Sequence, residues 1–239
     1  FGFTFLRFGV DNIPNTTQLI DSEGNINYDN ITTFSSADYG FLFSYARKLK
    51  VPGLRVGGTF KLIYRHAGDF AKSWGFGLDA GVQYEMKKHW KFGATVRDVT
   101  STFNAWIFDL SDEMKQSFIQ NNNDLPSNGL ELTVPRLILG AQGKFDIGKK
   151  KKFYIMSEID LDMTFDGKRN SLIASKGINI DPHLGIEFGF MKYVAVRAGF
   201  GNFQYVQDIT GKKKVNFQPN LGIGVGFKGV HIDYAFTDI

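Results

Sequence analysis

Three carboxylates in one short segment are the residues of this sequence best suited to chemistry. Glu158, Asp160 and Asp162 alternate with apolar residues. Because successive side chains of a β-strand point to opposite faces, a strand here would place all three carboxylates on one face. Such a group could bind a cation or share a proton. The alternative, which we favour, is pairing with cations, since unpaired charges in a confined space are costly.

The same alternation predicts further charged side chains on that face, and together they form one candidate lumen charge network. Its members are Arg55, Lys61, Arg65, Asp79, Glu85, Arg97, Glu158, Asp160, Asp162, His183, Glu187, Arg197 and Asp233. We expect this network to pair internally and to have no catalytic residue.

Other chemical motifs are weak. The glycines of 75–77 and 222–226 resemble a dinucleotide loop, but that fingerprint requires a turn from strand to helix, and these glycines lie in continuous alternating segments. The four histidines lack metal-ligand spacing, and cysteine is absent. No serine elbow or phosphate-binding loop occurs. We therefore expect no enzyme activity, no metal and no cofactor.

The elements that carry these charges are strands with two-residue alternation, clearest in segment 54–96. In 74–86 every second residue is apolar, from Trp74 through Leu78 to Met86, and the residues between are small or polar. A helix would show a period of 3.6 instead.

The polar half of this alternation is rich in glycine and single charges. Glycine covers nothing and weakens a strand, so this is a poor surface for contact with solvent but suits a barrel lumen. The strands are also long enough to cross a bilayer at a tilt. The sequence therefore predicts an all-β fold, a transmembrane antiparallel β-barrel with its apolar face toward lipid.

Composition agrees with this class. The chain has 239 residues, 22% of them charged, with 24 Phe and 27 Gly. The mean hydropathy is close to zero, and no apolar run reaches the roughly 18 residues of a membrane helix. A helical membrane protein is excluded.

We predict eleven strands whose connections alternate in length. Short connections lie at 49–53, 88–89, 147–152, 191–192 and 229, and long ones include 11–36, 101–130 and 165–177. This asymmetry is typical of outer-membrane barrels, with periplasmic turns and extracellular loops. The predicted strands are 1–10, 37–48, 54–66, 74–87, 90–100, 131–146, 153–164, 178–190, 193–205, 215–228 and 230–238.

The odd number predicts further strands, because single-chain bacterial barrels have an even number. We expect residues 1–239 to be a single barrel domain that is incomplete at both ends, with fourteen strands in full. The short turns are basic, notably at Lys149 to Lys152. We interpret them as a surface near lipid headgroups, and we expect no nucleic acid as a partner.

The loop 101–130 carries a predicted short helix, with Asp109 or Ser111 as its cap and Leu110, Met114 and Phe118 along one face. An apolar run precedes the helix. This run either packs on the barrel mouth as a lid or binds a partner. The candidate partner-binding residues are Phe103, Asn104, Trp106, Ile107, Phe108, Met114 and Phe118.

Five segments resemble the PorV/PorQ family of outer-membrane barrels in the type IX secretion system of Bacteroidota. They are Ala37 to Lys48 (ADYGFLFSYARK), Val56 to Arg65 (VGGTFKLIYR), Trp74 to Tyr84 (WGFGLDAGVQY), Val96 to Trp106 (VRDVTSTFNAW) and His231 to Ile239 (HIDYAFTDI). The resemblance implies a fourteen-stranded barrel related to FadL-type transporters. It also implies a shuttle or accessory role, in which the barrel binds secreted proteins by their C-terminal signal domain or binds the large secretion translocon.

Three functions follow as hypotheses. The first is a non-enzymatic outer-membrane component of type IX protein secretion that binds these partners through extracellular loops. The second is a FadL-like transporter of hydrophobic small molecules, with an opening where Pro135 or Pro182 interrupts strand pairing. The third is a structural subunit of another outer-membrane complex.

Overall fold

The fold is built almost entirely of β-strands. The computed structural model describes residues 1–20, 24–87, 89–120, 122–191, 193–208 and 210–237. Its strands are β1 (Gly2–Asn15), β2 (Thr32–Lys48), β3 (Leu54–Ala67), β4 (Ala71–Met86), β5 (Trp90–Arg97), β6 (Thr102–Phe108), β7 (Gly129–Thr133), β8 (Arg136–Ile147), β9 (Phe153–Thr164), β10 (Ile173–Ala174), β11 (Asn179–Phe190), β12 (Val194–Gln207), β13 (Lys213–Phe227) and β14 (Val230–Thr237). Helix α1 (Asp112–Gln120) and one 3-10 turn (Tyr28–Asn30) complete it.

The strands form one 14-stranded sheet whose main path is β1-β2-β3-β4-β5-β8-β9-β11-β12-β13-β14. The register pairs along this path are antiparallel, for example Glu187 with Arg197 between β11 and β12. Three strands lie off the path, since β6 pairs with β4 and β7, and β10 pairs with β11. Within the described residues the sheet is not closed, because no ladder joins β1 to β14.

Each of the eleven main-path strands overlaps one strand that the alternation predicts, and β9 has the predicted bounds. The predicted strand 131–146 was wrong as one element, because residues 129–133 form β7 and β8 begins at Arg136, and the predicted strand 90–100 was too long, because β5 ends at Arg97. The predicted loop 11–36 was also wrong at both ends, because β1 extends to Asn15 and β2 begins at Thr32. The interpretation of 101–130 as a loop was wrong at both ends, because β6 and β7 occupy residues 102–108 and 129–133. β5 pairs with the second half of β4, from Ala80 to Met86, whereas β6 pairs with the first half, from Ala71 to Phe76. The predicted residues 88, 192 and 238–239 lie outside the described part.

The two faces of the sheet have opposite character. On β4 the large apolar side chains are exposed, as at Trp74 (52%) and Phe76 (53%), while Ser73 is only 1% exposed. We call the face of Trp74, Phe76 and Leu78 the apolar face and the face of Ser73, Gly77 and Asp79 the polar face. The predicted assignment of side chains to two faces is confirmed for β4, and it is the polar face that is buried.

Two compact units divide the chain. The first comprises Phe1–Tyr45, Gly58–Asp79 and Asp98–Thr133, and the second comprises Ala46–Gly57, Ala80–Arg97 and Val134–Ile239. Helix α1 belongs to the first unit. In the part of the chain that the structure describes, no helix is long and apolar enough to cross a membrane.

Helix α1 begins as the sequence predicts. The Ser111 hydroxyl accepts a hydrogen bond from the Met114 amide at 3.2 Å, and Asp112 and Glu113 lie in the first turn, where carboxylates are favourable. Its apolar side packs over a small cavity of about 250 Å³ within the first unit. The cavity is lined by Pro14, Asn15, Thr16, Thr17, Phe34, Phe70, Phe108, Leu110, Met114, Phe118 and Pro126.

Glycines on the polar face make room for large polar neighbours on the next strand. Gly189 on β11 lies opposite Tyr154 on β9, and a Cβ on Gly189 would collide with the phenol ring. The ring cannot move aside freely, because its hydroxyl donates to Glu187 Oε1 at 2.6 Å and the Lys144 ammonium lies 3.8 Å from its centroid. Gly185 on the same strand has open space around it.

This difference predicts the effect of two alanine substitutions on stability. Gly189→Ala should lower the free energy of unfolding by about 1–3 kcal/mol through overpacking. Gly185→Ala, the matched control, should be neutral or slightly stabilising because alanine restricts the unfolded chain. Guanidinium titration of both variants in detergent micelles measures this, and equal stabilities would contradict the packing argument.

Candidate functional site

The charged side chains of the polar face are the largest group of candidate functional residues. They lie on β3, β4, β5, β9, β11, β12 and β14. Most are held in ion pairs or hydrogen bonds with neighbours on adjacent strands, so they are best described as three clusters and several isolated pairs.

The lysine cluster consists of Lys61, Asp79, Asp98 and Thr102 in the first unit. The Lys61 ammonium, on a residue that is 7% exposed, lies 2.7 Å from Asp79 and also forms an ion pair with Asp98. The Thr102 hydroxyl donates to Asp98, and the Asp98 amide donates to Asp79 Oδ1 at 2.9 Å. One buried cation is thus held by two carboxylates from separate segments.

Asp98 takes part in this cluster through its unusual backbone. It follows the last residue of β5 and has a φ of +54°, which few residues other than glycine adopt, although Asp and Asn tolerate it better than most. The Val99 amide donates to the Leu78 carbonyl at 2.8 Å, which holds this turn against β4. The sequence alternation missed Asp98 because it placed this residue inside the predicted strand 90–100, in line with the apolar positions, whereas β5 ends at Arg97.

The arginine cluster of the second unit consists of Arg197, Glu187, Asp233 and Tyr154. Arg197 donates to Glu187 and, at 2.5 Å, to Asp233 Oδ1. Glu187 also accepts from the Tyr154 hydroxyl. A guanidinium suits this site because its planar fork can serve two carboxylates at once.

A third cluster surrounds Arg65 in the first unit. Arg65 forms ion pairs with Asp38 and Glu131, each at 3.0 Å, and its guanidinium lies 5.0 Å from the centre of the Trp106 ring. The Trp106 indole also donates to Glu131 at 2.7 Å. Asp38 and Glu131 were not predicted, although both lie on strands whose alternation could have revealed them.

The remaining network members form smaller groups in the second unit. Arg55 pairs with Glu85 at 2.9 Å, Glu158 accepts from Gln142 at 3.0 Å, and Asp160 lies opposite His183 in the ladder. His183 Nε2 lies 3.5 Å from Asp181. Arg97 is exposed, and it forms no ion pair with any residue that the structure describes.

The three carboxylates of β9 do not act as one group. Asp162 is buried and forms an ion pair with Arg136, which the sequence analysis did not include, whereas Glu158 is exposed and bonds Gln142. Over the described ranges, no set of three histidine or carboxylate residues has the geometry of a metal site. The geometry therefore favours charge pairing over a cation site.

The residues predicted to bind a partner separate onto different surfaces. Phe103 and Ile107 lie on the apolar face, with Phe103 stacked on Phe76 at 5.5 Å between ring centres. Trp106 belongs to the Arg65 cluster, while Phe108, Met114 and Phe118 line the small cavity beside α1. The Asn104 side chain is 4% exposed on the polar face.

Two polar side-chain atoms of the first unit are buried without a hydrogen bond to the described residues. Ser73 Oγ and Asn104 Oδ1 make no hydrogen bond to any described residue. Their residues lie on adjacent strands, since Gly75 faces Asn104 and Ser73 faces Trp106. A buried acceptor without a partner carries a desolvation cost, so these atoms mark a polar spot within the packed face.

Two carboxyl groups in connections outside the long strands have lowered pKa values. Hydrogen bonding from Arg169 lowers the pKa of Asp166, and hydrogen bonding from the Thr210 hydroxyl lowers the pKa of Asp208. Both carboxylates therefore stay ionised in more acidic solution than an ordinary aspartate does, and they keep their hydrogen bonds within these connections there.

Comparison with known proteins adds no family to this description. No protein-family model matches the chain, and no curated protein matches it.

The burial of the lysine cluster predicts a large effect of removing its cation. Lys61→Ala leaves two carboxylates facing each other without a counter-charge and should lower the free energy of unfolding by about 3 kcal/mol or more. Arg55→Ala removes a more exposed pair and should cost less than about 1 kcal/mol. Chemical denaturation in micelles compares the two.

A rescue variant tests the cause of that loss. Lys61→Met combined with Asp79→Asn and Asp98→Asn removes all three charges and should recover part of the stability. If the triple variant is no more stable than Lys61→Ala, packing of the lysine stem and not charge pairing determines the effect.

Proposed function

We propose that the sheet of this chain belongs to a transmembrane β-barrel of a bacterial outer membrane, with its long loops extracellular and its short turns periplasmic. The observation that carries the proposal is the inverted polarity of the sheet. Large apolar side chains are exposed along many strands, including Ile186 at 51% and Ile223 at 48%, while charged residues such as Lys61 and Glu187 are buried. Water is a poor solvent for such a surface, and lipid is a good one.

The edge strands β1 and β14 fit this proposal if their free backbone groups pair with another strand in the membrane. Backbone N–H and C=O groups exposed to lipid carry a large cost, so a membrane barrel has no free edges. The edges of β1 and β14 would therefore pair with each other or with additional strands. The lengths of the connections support the orientation, with tight connections at 49–53, 148–152 and 228–229 against long ones at 16–31 and 109–128.

Within that membrane we propose a non-enzymatic role as an accessory or shuttle component of type IX secretion. The segment 109–128 would bind the C-terminal signal domains of secreted proteins or the translocon. Trp106, Phe108, Met114 and Phe118 make contacts within the chain. We therefore assign the partner contact to apolar side chains of this segment that are exposed. Ile119 on α1 is 61% exposed and Leu125 is 43% exposed.

A FadL-like transporter is a second candidate, favoured by the apolar cavity beside α1. Phe34, Phe70 and Phe108 line it with the helix side chains. Its volume of about 250 Å³ is below the usual range of small-molecule sites, and the polar face is charged, so we rank this function second.

The membrane proposal predicts that arginine is tolerated on one face only. Leu78→Arg places a charge on the apolar face and should destabilise the barrel by about 2–4 kcal/mol near the bilayer midplane. Gln142→Arg, the control, places the same side chain on the polar face beside Glu158 and should cost far less. Guanidinium unfolding from phosphatidylcholine vesicles measures both, and equal tolerance would overturn the assignment of faces.

The partner proposal predicts loss of binding without loss of the barrel. Ile119→Asp with Leu125→Asp should abolish recovery of the translocon, or of secreted proteins with a shared C-terminal domain, from solubilised outer membrane. Ile26→Asp is the matched control, since Ile26 is 62% exposed in another long connection. If the recovery of these proteins is unchanged, segment 109–128 is not part of the interface. Recovery of the wild-type protein alone, with a bound fatty acid, would favour the transporter.

A further inference from the structure

An aromatic groove opens on the apolar face of the first unit, near the turn between β3 and β4. Its volume is about 630 Å³, and its walls are Tyr39, Phe41, Tyr64, His66, Gly68, Asp69, Ala71, Lys72 and Trp74. Tyr64 and Trp74 lie 4.7 Å apart between ring centres, and Tyr39 stacks on Tyr64 and His66 at 6.1 and 6.0 Å. We call Tyr39, Tyr64, His66 and Trp74 the aromatic platform.

Two cations flank this platform on the same face. Arg7 on β1 faces Tyr39 in the ladder, and its guanidinium lies 5.9 Å from the centre of that ring. Lys72 precedes Trp74 by two residues, so it shares its face, and it is exposed. Among the residues that the structure describes, Lys72 forms no ion pair. Cations are costly on a surface that meets hydrocarbon, so their presence here requires an anionic neighbour or the headgroup layer.

Two carboxylates lie near the groove or its flanking cations, but neither forms an ion pair with Lys72. Asp69 lines the groove from the turn, and Asp11 lies near Arg7. Lys72 pairs with neither in the structure. The groove therefore has an aromatic floor and at least one cation that is free to bind an external anion.

A second aromatic group shows that aromatic residues do not by themselves require such cations. In the second unit Trp90 and Phe145 make an edge contact at 5.5 Å, with His89 stacked on Phe145. The nearby basic residues Lys91 and Lys144 follow the opposite alternation, and Lys144 lies over Tyr154 on the polar face. That group is a simple aromatic belt.

We infer that the aromatic platform with Arg7 and Lys72 binds the headgroup of a phosphorylated glycolipid of the outer leaflet. Aromatic ring faces carry negative partial charge and pack against the C–H faces of a sugar ring, while the guanidinium and ammonium bind phosphate. The acyl chains would then follow the exposed apolar face below, past Phe76 and Leu78. This inference rests on the proposed membrane location, and it assigns a ligand to one surface of the barrel.

The position of the groove fits a headgroup. It lies where β3 ends and β4 begins, at the same end of the sheet as the connection 16–31. The proposed orientation makes this end extracellular. Aromatic side chains at such a level face the boundary between headgroups and hydrocarbon.

The test uses lipid A, a phosphorylated glucosamine disaccharide with acyl chains, as the probe. Refolded protein is incorporated into phosphatidylcholine vesicles containing a small fraction of lipid A, of phosphatidylglycerol, or of a neutral galactolipid. After extraction in mild detergent, native mass spectrometry counts the lipids retained. Lipid A should be retained in preference to both others, because phosphatidylglycerol lacks the sugar ring and galactolipid lacks the phosphate.

Variants locate the site. Lys72→Gln and Arg7→Gln should each reduce retention of lipid A about fivefold, which is the usual contribution of one basic residue near an anionic lipid. Tyr64→Leu should reduce it while keeping the surface apolar. The controls are Lys149→Gln in a short turn and Tyr84→Leu on the apolar face of β4, and they should retain lipid A as the wild type does.

The outcomes separate this inference from the membrane proposal. If the protein enters the vesicles but retains all three lipids equally, the glycolipid site is wrong and the barrel proposal is unaffected. The same conclusion follows if the control variants lose the preference for lipid A together with the site variants. Retention of phosphatidylglycerol equal to that of lipid A also overturns it, because charge alone would then suffice. Failure to enter vesicles of any composition overturns both.

Discussion

Pairing of charges on a buried sheet face is the constraint on which this structure depends. Lys61, which is 7% exposed, loses most of its hydration there, and a single unpaired charge in that position would cost several kcal/mol. Arg197 is less buried, but its partner Glu187 is 8% exposed. Each of these two cations is held by two carboxylates from other segments. The opposite face carries mostly apolar side chains, although cations such as Arg7 and Lys72 also lie on it.

Strand register follows from this pairing. A shift of one residue would exchange the faces of every side chain on a strand. It would separate Glu187 from Arg197, which are direct partners in the ladder, and would move Tyr154 off Gly189. The glycines are part of the same arrangement, since Gly224 leaves the space that Asp233 and Arg197 share. Charge pairs and glycines thus fix the register together.

The alternation of residue types was enough to predict where the strands of the main path lie, apart from several of their ends, and which residues share a face, because both depend on local periodicity. It could not predict β6. In that strand Trp106 and Phe108 occupy the face that carries Asn104, so the apolar run loses its period of two. Those side chains are there for tertiary reasons: Trp106 contacts Arg65 and Glu131, and Phe108 lines the cavity beside α1. Helix α1 was predictable because its cap and its apolar spacing are local.

The alternation could not predict which charged residues pair with each other, for a further physical reason. The alternation assigns a side chain to a face, but its partner depends on which strand lies next to it. Along β4 that neighbour changes, since 71–76 pairs with β6 and 80–86 pairs with β5. Asp79 lies between these two stretches and Asp98 lies between β5 and β6, so both carboxylates of the lysine cluster lie outside the paired stretches of these strands. Arg97, one residue earlier and correct in its alternation, is exposed and forms no ion pair within the described residues. The charged face is therefore used largely for its own stability, and the recognition that we propose falls to the exposed surfaces, namely the apolar face and the connections at its end.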